Sequence, residues 1–147
     1  KGTPLLAPAA GFTYGKISKI RVGESGVILT TGQLLSQAME VWTVLNKAKT
    51  TPSLYHVSAP LMIDQKDDPV LQKELRKGRV ITFEEHNVRT GLGSRVANVI
   101  AQRGISCRHL PIGVERFSLS GEVGELRRLL GLDVETVAAR AKKFLKR

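Results

Sequence analysis

The stretch RVITFEEHNVRTGLGSRVANVIAQRG, residues 79–104, combines a strand, a polar turn, a glycine pair and a helix. Residues 79–83 are a short run of β-branched and aromatic side chains, which predicts a strand buried on both faces. Gly91 and Gly93 bracket the turn, and Ser94 is predicted to cap the helix that follows. Because ligands and partners of α/β domains meet the sheet at the carboxyl ends of its strands, functional residues are expected in this turn.

The composition is that of one folded domain. A chain of 147 residues, 41% hydrophobic and 24% charged, is long enough for a real core and ordinary in its balance. No apolar run reaches the length of a membrane helix, and Pro4 and Pro8 interrupt the apolar start, so no signal peptide is predicted. A single cysteine, Cys107, excludes an internal disulfide and favours a reducing, cytoplasmic setting.

The net charge of +10 predicts solubility and a preference for anionic partners. Nucleic-acid binding is disfavoured, because aromatic residues make up 5% of the chain and are not interleaved with Lys and Arg as stacking platforms would be. The sequence also carries no helix-turn-helix, zinc-finger or RNA-binding signature.

Periodicity along the chain predicts strands that alternate with helices. Such alternation implies parallel pairing, right-handed crossovers and helices on both faces of the sheet, so the fold class is α/β. The turn at 23–26 joins the first two strands, so the first is expected to run antiparallel at an edge. The predicted strands are 16–22, 27–31, 53–58, 79–83 and 106–112, and the predicted helices are 33–49, 69–76, one after Ser94, one capped by Ser120 and one capped by Asp133.

Glu84, Glu85 and His86 are candidates for acid–base chemistry, because neighbouring titratable groups at a strand end can have shifted pKa values. Consecutive residues of an extended chain point in opposite directions, however, so at most two of them can face one cleft. A hydrogen-bonded structural cluster or an interface cluster is the favoured interpretation.

The Gly91–Leu92–Gly93 turn could also bring backbone N–H groups to a phosphate. The third glycine of a dinucleotide fingerprint would fall at Val96, and no P-loop lysine follows, so a simple tight turn is favoured. A standalone anion- or nucleotide-binding module stays open as the alternative. The remaining metal-ligating types, His56, His86, His109 and Cys107, lack metal-site spacing.

The same stretch resembles the carboxyl-terminal domain of transketolase-like enzymes, which include split transketolases, deoxyxylulose-phosphate synthase and the pyruvate dehydrogenase beta subunit. Residues 15–41 resemble the opening strand pair and first helix of that domain, with Thr31–Gly32 at the usual Thr-Gly. Residues 110–137 resemble its closing motif, which begins with a Gly-Val pair, Gly113–Val114, and a phenylalanine, Phe117. The central motif, an acidic pair, His/Asn and a Gly-Leu-Gly-Ser turn, is matched by Glu84, Glu85, His86, Asn87, Gly91, Leu92, Gly93 and Ser94.

This resemblance implies a three-layer α/β sandwich with a mixed five-stranded sheet whose first strand is antiparallel. Residues 16–147 would form the domain, and residues 1–15 would be a strap from a preceding pyrimidine-binding domain. In the family, thiamine diphosphate and a divalent metal ion lie between the pyrimidine-binding and diphosphate-binding domains of different subunits. The complete enzyme is then a homodimer, and the turn from Glu84 to Ser94 serves domain or subunit contacts.

The cofactor-binding parts of such enzymes, including the Gly-Asp-Gly metal site and the glutamate that activates the pyrimidine, are missing from this sequence. The resemblance therefore implies no catalytic, cofactor-binding or metal-binding residues here, and the chain alone is expected to be inactive. The acid of the family's Pro-(Leu/Ile)-Asp segment is displaced to Asp64 in residues 60–64. This departure favours the transketolase branch, in which a two-carbon ketol unit is transferred between sugars.

Overall fold

The structure, a computed structural model, describes residues 14–63, 68–116 and 120–146. Residues 1–13 of the predicted strap, Asp64 and the Phe117 of the closing motif lie outside this range. The described residues form five strands and five α-helices in the predicted order: β1 (Ile17–Arg21), β2 (Val27–Thr30), α1 (Leu35–Lys47), β3 (Ser53–Val57), α2 (Pro69–Leu75), β4 (Arg79–Asn87), α3 (Leu92–Gln102), β5 (Arg108–Val114), α4 (Val123–Leu129) and α5 (Val134–Lys146).

The strands form one mixed sheet in the order β1-β3-β2-β4-β5. Strands β2 to β5 pair in parallel, and β1 pairs antiparallel with β3 at the edge, which confirms the predicted fold class. The short turn at 23–26 does not make β1 and β2 neighbours, because β2 is already paired on both sides, by β3 and β4.

Helices cover both faces of the sheet, and the side chains of the central strand alternate between them. In β2, Ile28 packs into the core with α1 and α5, whereas Val27 and Leu29 pack into the core with α2 and α3. All three are buried, as expected for a parallel strand covered on both faces. The central strands are therefore apolar on both faces, and polar side chains that follow them need special partners.

Several boundaries differ from the predicted ones. Strand β4 continues four residues past Phe83, and β5 begins and ends two residues later than predicted. The first helix starts as a single 3-10 turn, Gly32–Leu34, before α1. Hydrophobic periodicity weakens at element ends, where backbone hydrogen bonds to neighbouring strands decide the boundary instead.

The two predicted caps near the end of the chain have different outcomes. Asp133 accepts a hydrogen bond from the amide N–H of Thr136 at 3.0 Å, and this bond lowers the pKa of its carboxyl, so the predicted cap of α5 is confirmed. Ser120 does not cap α4, whose N-cap is Glu122 without a side-chain hydrogen bond. Helix α4 buries none of its residues. Because it packs weakly, contacts with the core do not determine the residue at which it begins. Within the described ranges, no helix is long and apolar enough to cross a membrane.

Candidate functional site

The acidic pair lies in an irregular part of β4. Phe83 pairs with Ile112 and Asn87 pairs with Val114, so three residues of β4 stand against the single Gly113 of β5. This irregularity is a β-bulge, which bends the strand and changes the direction in which the side chains of residues 84–86 point. Since Phe83 packs towards α1 and α5, the next residue along the strand, Glu84, faces the side of the sheet that carries α3.

Glu84 is fully buried and holds the beginning of α3. Its Oε2 accepts a hydrogen bond from the amide N–H of Leu92 at 2.6 Å, and its Oε1 accepts one from Gly93 at 2.7 Å. These two amides belong to the first turn of α3, where helix geometry leaves N–H groups without intrahelical partners. The carboxylate of Glu84, which belongs to the sheet, therefore accepts the hydrogen bonds that an N-cap side chain usually accepts.

The electrostatics of Glu84 combine opposing effects. Burial is the largest effect and raises the pKa of its carboxyl above the ordinary value, although the amides of Gly93 and Leu92 and the nearby His86 act to lower it. The positive end of the helix dipole and two charge-assisted hydrogen bonds favour the ionised form at this position. Both oxygens are engaged and the side chain has no exposed surface, so the carboxylate is not placed to exchange protons with a substrate.

Three glycines make room for this carboxylate. A Cβ on Gly91 would stand 1.8 Å from Glu84 Oε2, and a Cβ on Gly93 would stand 3.1 Å from Oε1. A Cβ on Gly113 would stand 3.0 Å from Glu84 Cγ and 2.9 Å from the carbonyl oxygen of His86. Gly113 was not singled out from the sequence, although it belongs to the Gly-Val pair of the closing motif.

The other polar residues of the turn lie on the surface. Glu85, His86 and Asn87 are exposed, and the guanidinium of Arg127 donates to Glu85, which ties α4 to β4. The side-chain oxygen of Asn87 accepts from the amide of Arg89 at 2.9 Å and closes the turn. The structure therefore separates the cluster into one buried structural carboxylate, Glu84, and three exposed side chains.

The predicted role of Ser94 is wrong. The N-cap of α3 is Gly91, and Ser94 lies in the first turn, where its hydroxyl donates to the Gly91 carbonyl at 2.9 Å. Glu84 already satisfies the amides that a capping serine would accept from, so the helix begins three residues earlier than predicted.

The amides of the glycine turn, which the phosphate-binding alternative requires, already have hydrogen-bond partners within the chain. The amide of Gly91 donates to the carbonyl of Asn87 at 2.9 Å, and the amides of Leu92 and Gly93 donate to Glu84. Three consecutive N–H groups that would cradle a phosphate are thus occupied, two of them by a carboxylate that would repel an anion.

Beneath the turn, His109 lies beside Thr82, a buried residue of β4. The Nε2 of His109 and the hydroxyl oxygen of Thr82 are 2.9 Å apart, within hydrogen-bond distance. Burial lowers the pKa of His109 to about 4, so the ring is neutral at pH 7. Across the described ranges, no three His, Cys, Asp or Glu side chains gather in a way that could hold a metal ion.

The fold and this turn identify the class of protein. A family model described as "Transketolase, C-terminal domain" matches residues 15–137, so the chain belongs to the transketolase C-terminal domain family. This finding confirms the resemblance inferred from the central stretch.

Individual relatives agree with that family. A Methanocaldococcus jannaschii protein, named provisionally as a transketolase C-terminal section, is 31% identical over 139 residues, which cover 94% of this chain and 42% of that protein. The 1-deoxy-D-xylulose-5-phosphate synthase of Syntrophotalea carbinolica is 32% identical over 146 residues, which cover 98% of this chain and 23% of the synthase.

Among solved structures, a split-gene transketolase described as an inactive beta4 tetramer superposes with a TM-score of 0.87 at 25% identity. The match covers 99% of this chain and 47% of that one. The chain therefore spans less than half the length of these relatives.

We expect Glu84→Gln to lower the free energy of unfolding by about 1–3 kcal/mol, because an amide can accept at only one of the two positions and leaves a buried N–H without a partner. Urea denaturation at pH 7 measures the change. Glu85→Gln is the matched control, since its exposed ion pair with Arg127 is worth about 1 kcal/mol or less. Equal losses in the two variants would contradict the structural role of Glu84.

Gly93→Val should destabilise the fold by about 1–3 kcal/mol, because the added atoms meet Glu84, Thr82 and Pro111 at the edge of van der Waals contact or closer. Thermal unfolding and size-exclusion chromatography report stability and oligomer size. Gly124→Val is the control, since a Cβ on Gly124 meets no atom within 4 Å. An unchanged melting temperature together with an unchanged oligomer size in Gly93→Val would refute the prediction.

The NMR titration of the His109 ring should give a pKa near 4, against an ordinary value of 6.5. Between these values the unfolded chain binds a proton that the folded chain does not, so His109 reduces stability as the pH falls from about 6.5 to about 4. His109→Gln removes this contribution and should flatten the loss over that range. A His109 pKa of 6 or above would contradict the buried, neutral ring.

Proposed function

We propose that the chain is the non-catalytic carboxyl-terminal domain of a thiamine-diphosphate-dependent, transketolase-like enzyme, which transfers a two-carbon ketol unit between sugars. The observation that carries this proposal is that the chain spans less than half of relatives that include a 1-deoxy-D-xylulose-5-phosphate synthase and a split-gene transketolase. The polar turn of this chain stabilises the start of α3 through Glu84, which supports a structural role for the domain.

The described residues do not fit thiamine diphosphate or its metal ion. The amides of Leu92 and Gly93, which resemble a diphosphate cradle in sequence, donate to Glu84, and within the described ranges no three metal-ligating side chains converge. The proposal therefore assigns the cofactor and the metal ion to pyrimidine-binding and diphosphate-binding domains outside this sequence.

The turn from Glu84 to Ser94 is proposed to contact those domains or the second subunit of a homodimer. Glu85, His86 and Asn87 project from it into solvent, and α4, tied to it through Arg127, exposes 60% of Val123 and 56% of Leu129. A helix that buries no residue of its own and presents apolar side chains beside a polar turn is typical of a surface covered by a partner.

In this proposal residues 16–147 are the domain and residues 1–15 are the strap that leaves the pyrimidine-binding domain. The transketolase branch is preferred because the acid of the Pro60–Asp64 segment is displaced, although relatives from the synthase branch match equally well. The single unpaired Cys107 supports a cytoplasmic enzyme.

The test is an assay of ketol transfer from a ketose phosphate to an aldose phosphate with added thiamine diphosphate and Mg²⁺. The chain alone should show no turnover, and an immunoblot of the native source should detect this domain either in a band several times larger or in a complex with a second, cofactor-binding chain. Turnover by the isolated chain, or a native species of this mass with no co-purifying partner, would overturn the proposal.

A thermal-shift screen against inorganic phosphate and nucleotides addresses the alternative of an anion-binding module. We expect no stabilisation, since an anion would have to displace Glu84. A shift at millimolar ligand that Gly93→Val abolishes would favour the binding module instead.

A further inference from the structure

Most of the net positive charge lies at the end of the molecule where the parallel strands begin. Five segments meet there, and together they carry ten Lys and Arg residues but a single carboxylate, Glu24. The rest of the sequence carries 13 Lys and Arg against 12 Asp and Glu, so it is nearly neutral. The five segments, which we call the cationic end, are 23–26, 47–53, 76–79, 103–108 and 142–146.

Contacts between the segments show that they form one surface. The amide of Ser25 donates to the carbonyl of Thr51 at 3.0 Å, and the ammonium group of Lys77 donates to the carbonyl of Gly23 at 2.7 Å. The guanidinium of Arg108 lies 5.1 Å from the centre of the Phe144 ring. Charges that are far apart in sequence are thereby brought side by side.

Helix C-termini explain part of this charge, because cations stabilise the negative end of the helix dipole. Arg79 and Arg108 are different, since they begin strands, which have no such dipole. Within the described ranges neither has a carboxylate at salt-bridge distance, and the Nε of Arg79 is buried without a hydrogen-bond partner. The fold does not neutralise these cations internally.

An apolar groove of about 430 Å³ runs between α1 and α5 and opens beside the cationic end. Val44 in its wall is 46% exposed, although the neighbouring Leu45 is fully buried. Lys142 and Glu135, which are two helical turns apart on α5, both line the groove, and Lys47 at the end of α1 directly precedes the lining residue Ala48. The apolar lining consists of Val44, Leu45, Ala48, Val134, Ala138 and Ala139.

We propose that this groove and the cationic end together bind an acidic amphipathic helix of another protein. The apolar stripe of that helix fills the groove, and its carboxylates face Lys142, which lines the groove, and the exposed Lys47 next to the lining residue Ala48. An apolar centre with a charged rim is the usual anatomy of a protein interface, and helix-in-groove recognition uses apolar residues at helical spacing.

Two other occupants fit less well. A second copy of this chain would bring two cationic ends together, and the like charges would repel. A nucleic-acid duplex would use the cations but leave the apolar groove empty, and the five segments contain one aromatic residue, the half-buried Phe144, with which to stack bases.

The test uses a synthetic, fluorescein-labelled helical peptide of about 18 residues, with leucines on one face and glutamates on the other. Fluorescence anisotropy with the full chain should give a dissociation constant on the order of micromolar that weakens as salt is raised. Amide shifts in NMR spectra should map the peptide to α1 and α5.

Variants separate the apolar and the charged contributions. Lys47→Glu/Lys142→Glu should weaken binding about tenfold or more, and Val44→Ser should weaken it several-fold with an unchanged salt dependence. Lys16→Glu/Lys19→Glu changes the net charge equally at two exposed positions, one just before the edge strand β1 and one within it, and should stay within about twofold of the parent chain.

Three outcomes would overturn the proposal. One is equal binding of a peptide in which lysines replace the glutamates, and another is equal weakening by the control pair at Lys16 and Lys19. The third is tighter binding of a 20-base-pair DNA duplex, unaffected by Val44→Ser, which would make the surface a phosphate-binding one.

Discussion

The structure depends on one interaction, the pair of hydrogen bonds by which the buried carboxylate of Glu84 accepts from the amides of Leu92 and Gly93. It joins the central region of the sheet to the first turn of α3, and α3 supplies Leu92, Val96 and Val99 to one of the two cores. A buried charge is costly unless it is fully hydrogen-bonded, so the surrounding backbone must keep this geometry.

That requirement explains features that otherwise look unrelated. The bulge opposite Gly113 begins at Glu84, directly after the apolar run of β4. Glycine at 91, 93 and 113 leaves space where any Cβ would press on Glu84 or its neighbours. Because the amides are already occupied, α3 begins at Leu92 without a capping side chain of its own.

The hydrogen bonds of Glu84 also determine which groups of the turn are free to contact other molecules. In many α/β proteins the amide groups after a central strand hold a ligand, but here the chain supplies the anion itself. The turn exposes its remaining polar side chains to solvent beside the weakly packed α4, and such a surface suits contacts with other domains. The strong positive charge lies at the opposite end of the sheet, so the two surfaces are physically separate.

The sequence by itself determined the elements and their order, because a continuous buried run such as residues 27–30 indicates a central strand and the helical periodicity of residues 33–49 records which face is buried. It also carried the motif by which the family was recognised, since Glu84, Gly91 and Gly93 lie close together along the chain. The strand pairing of β1 with β3, the capping of α3 by Glu84 and the failure of Ser94 and Ser120 as caps were decided by the tertiary structure. The role of Gly113 and the joining of five separate segments into one cationic surface belong with them. Each of these depends on which residues distant in sequence become neighbours, and local periodicity carries no information about such distances.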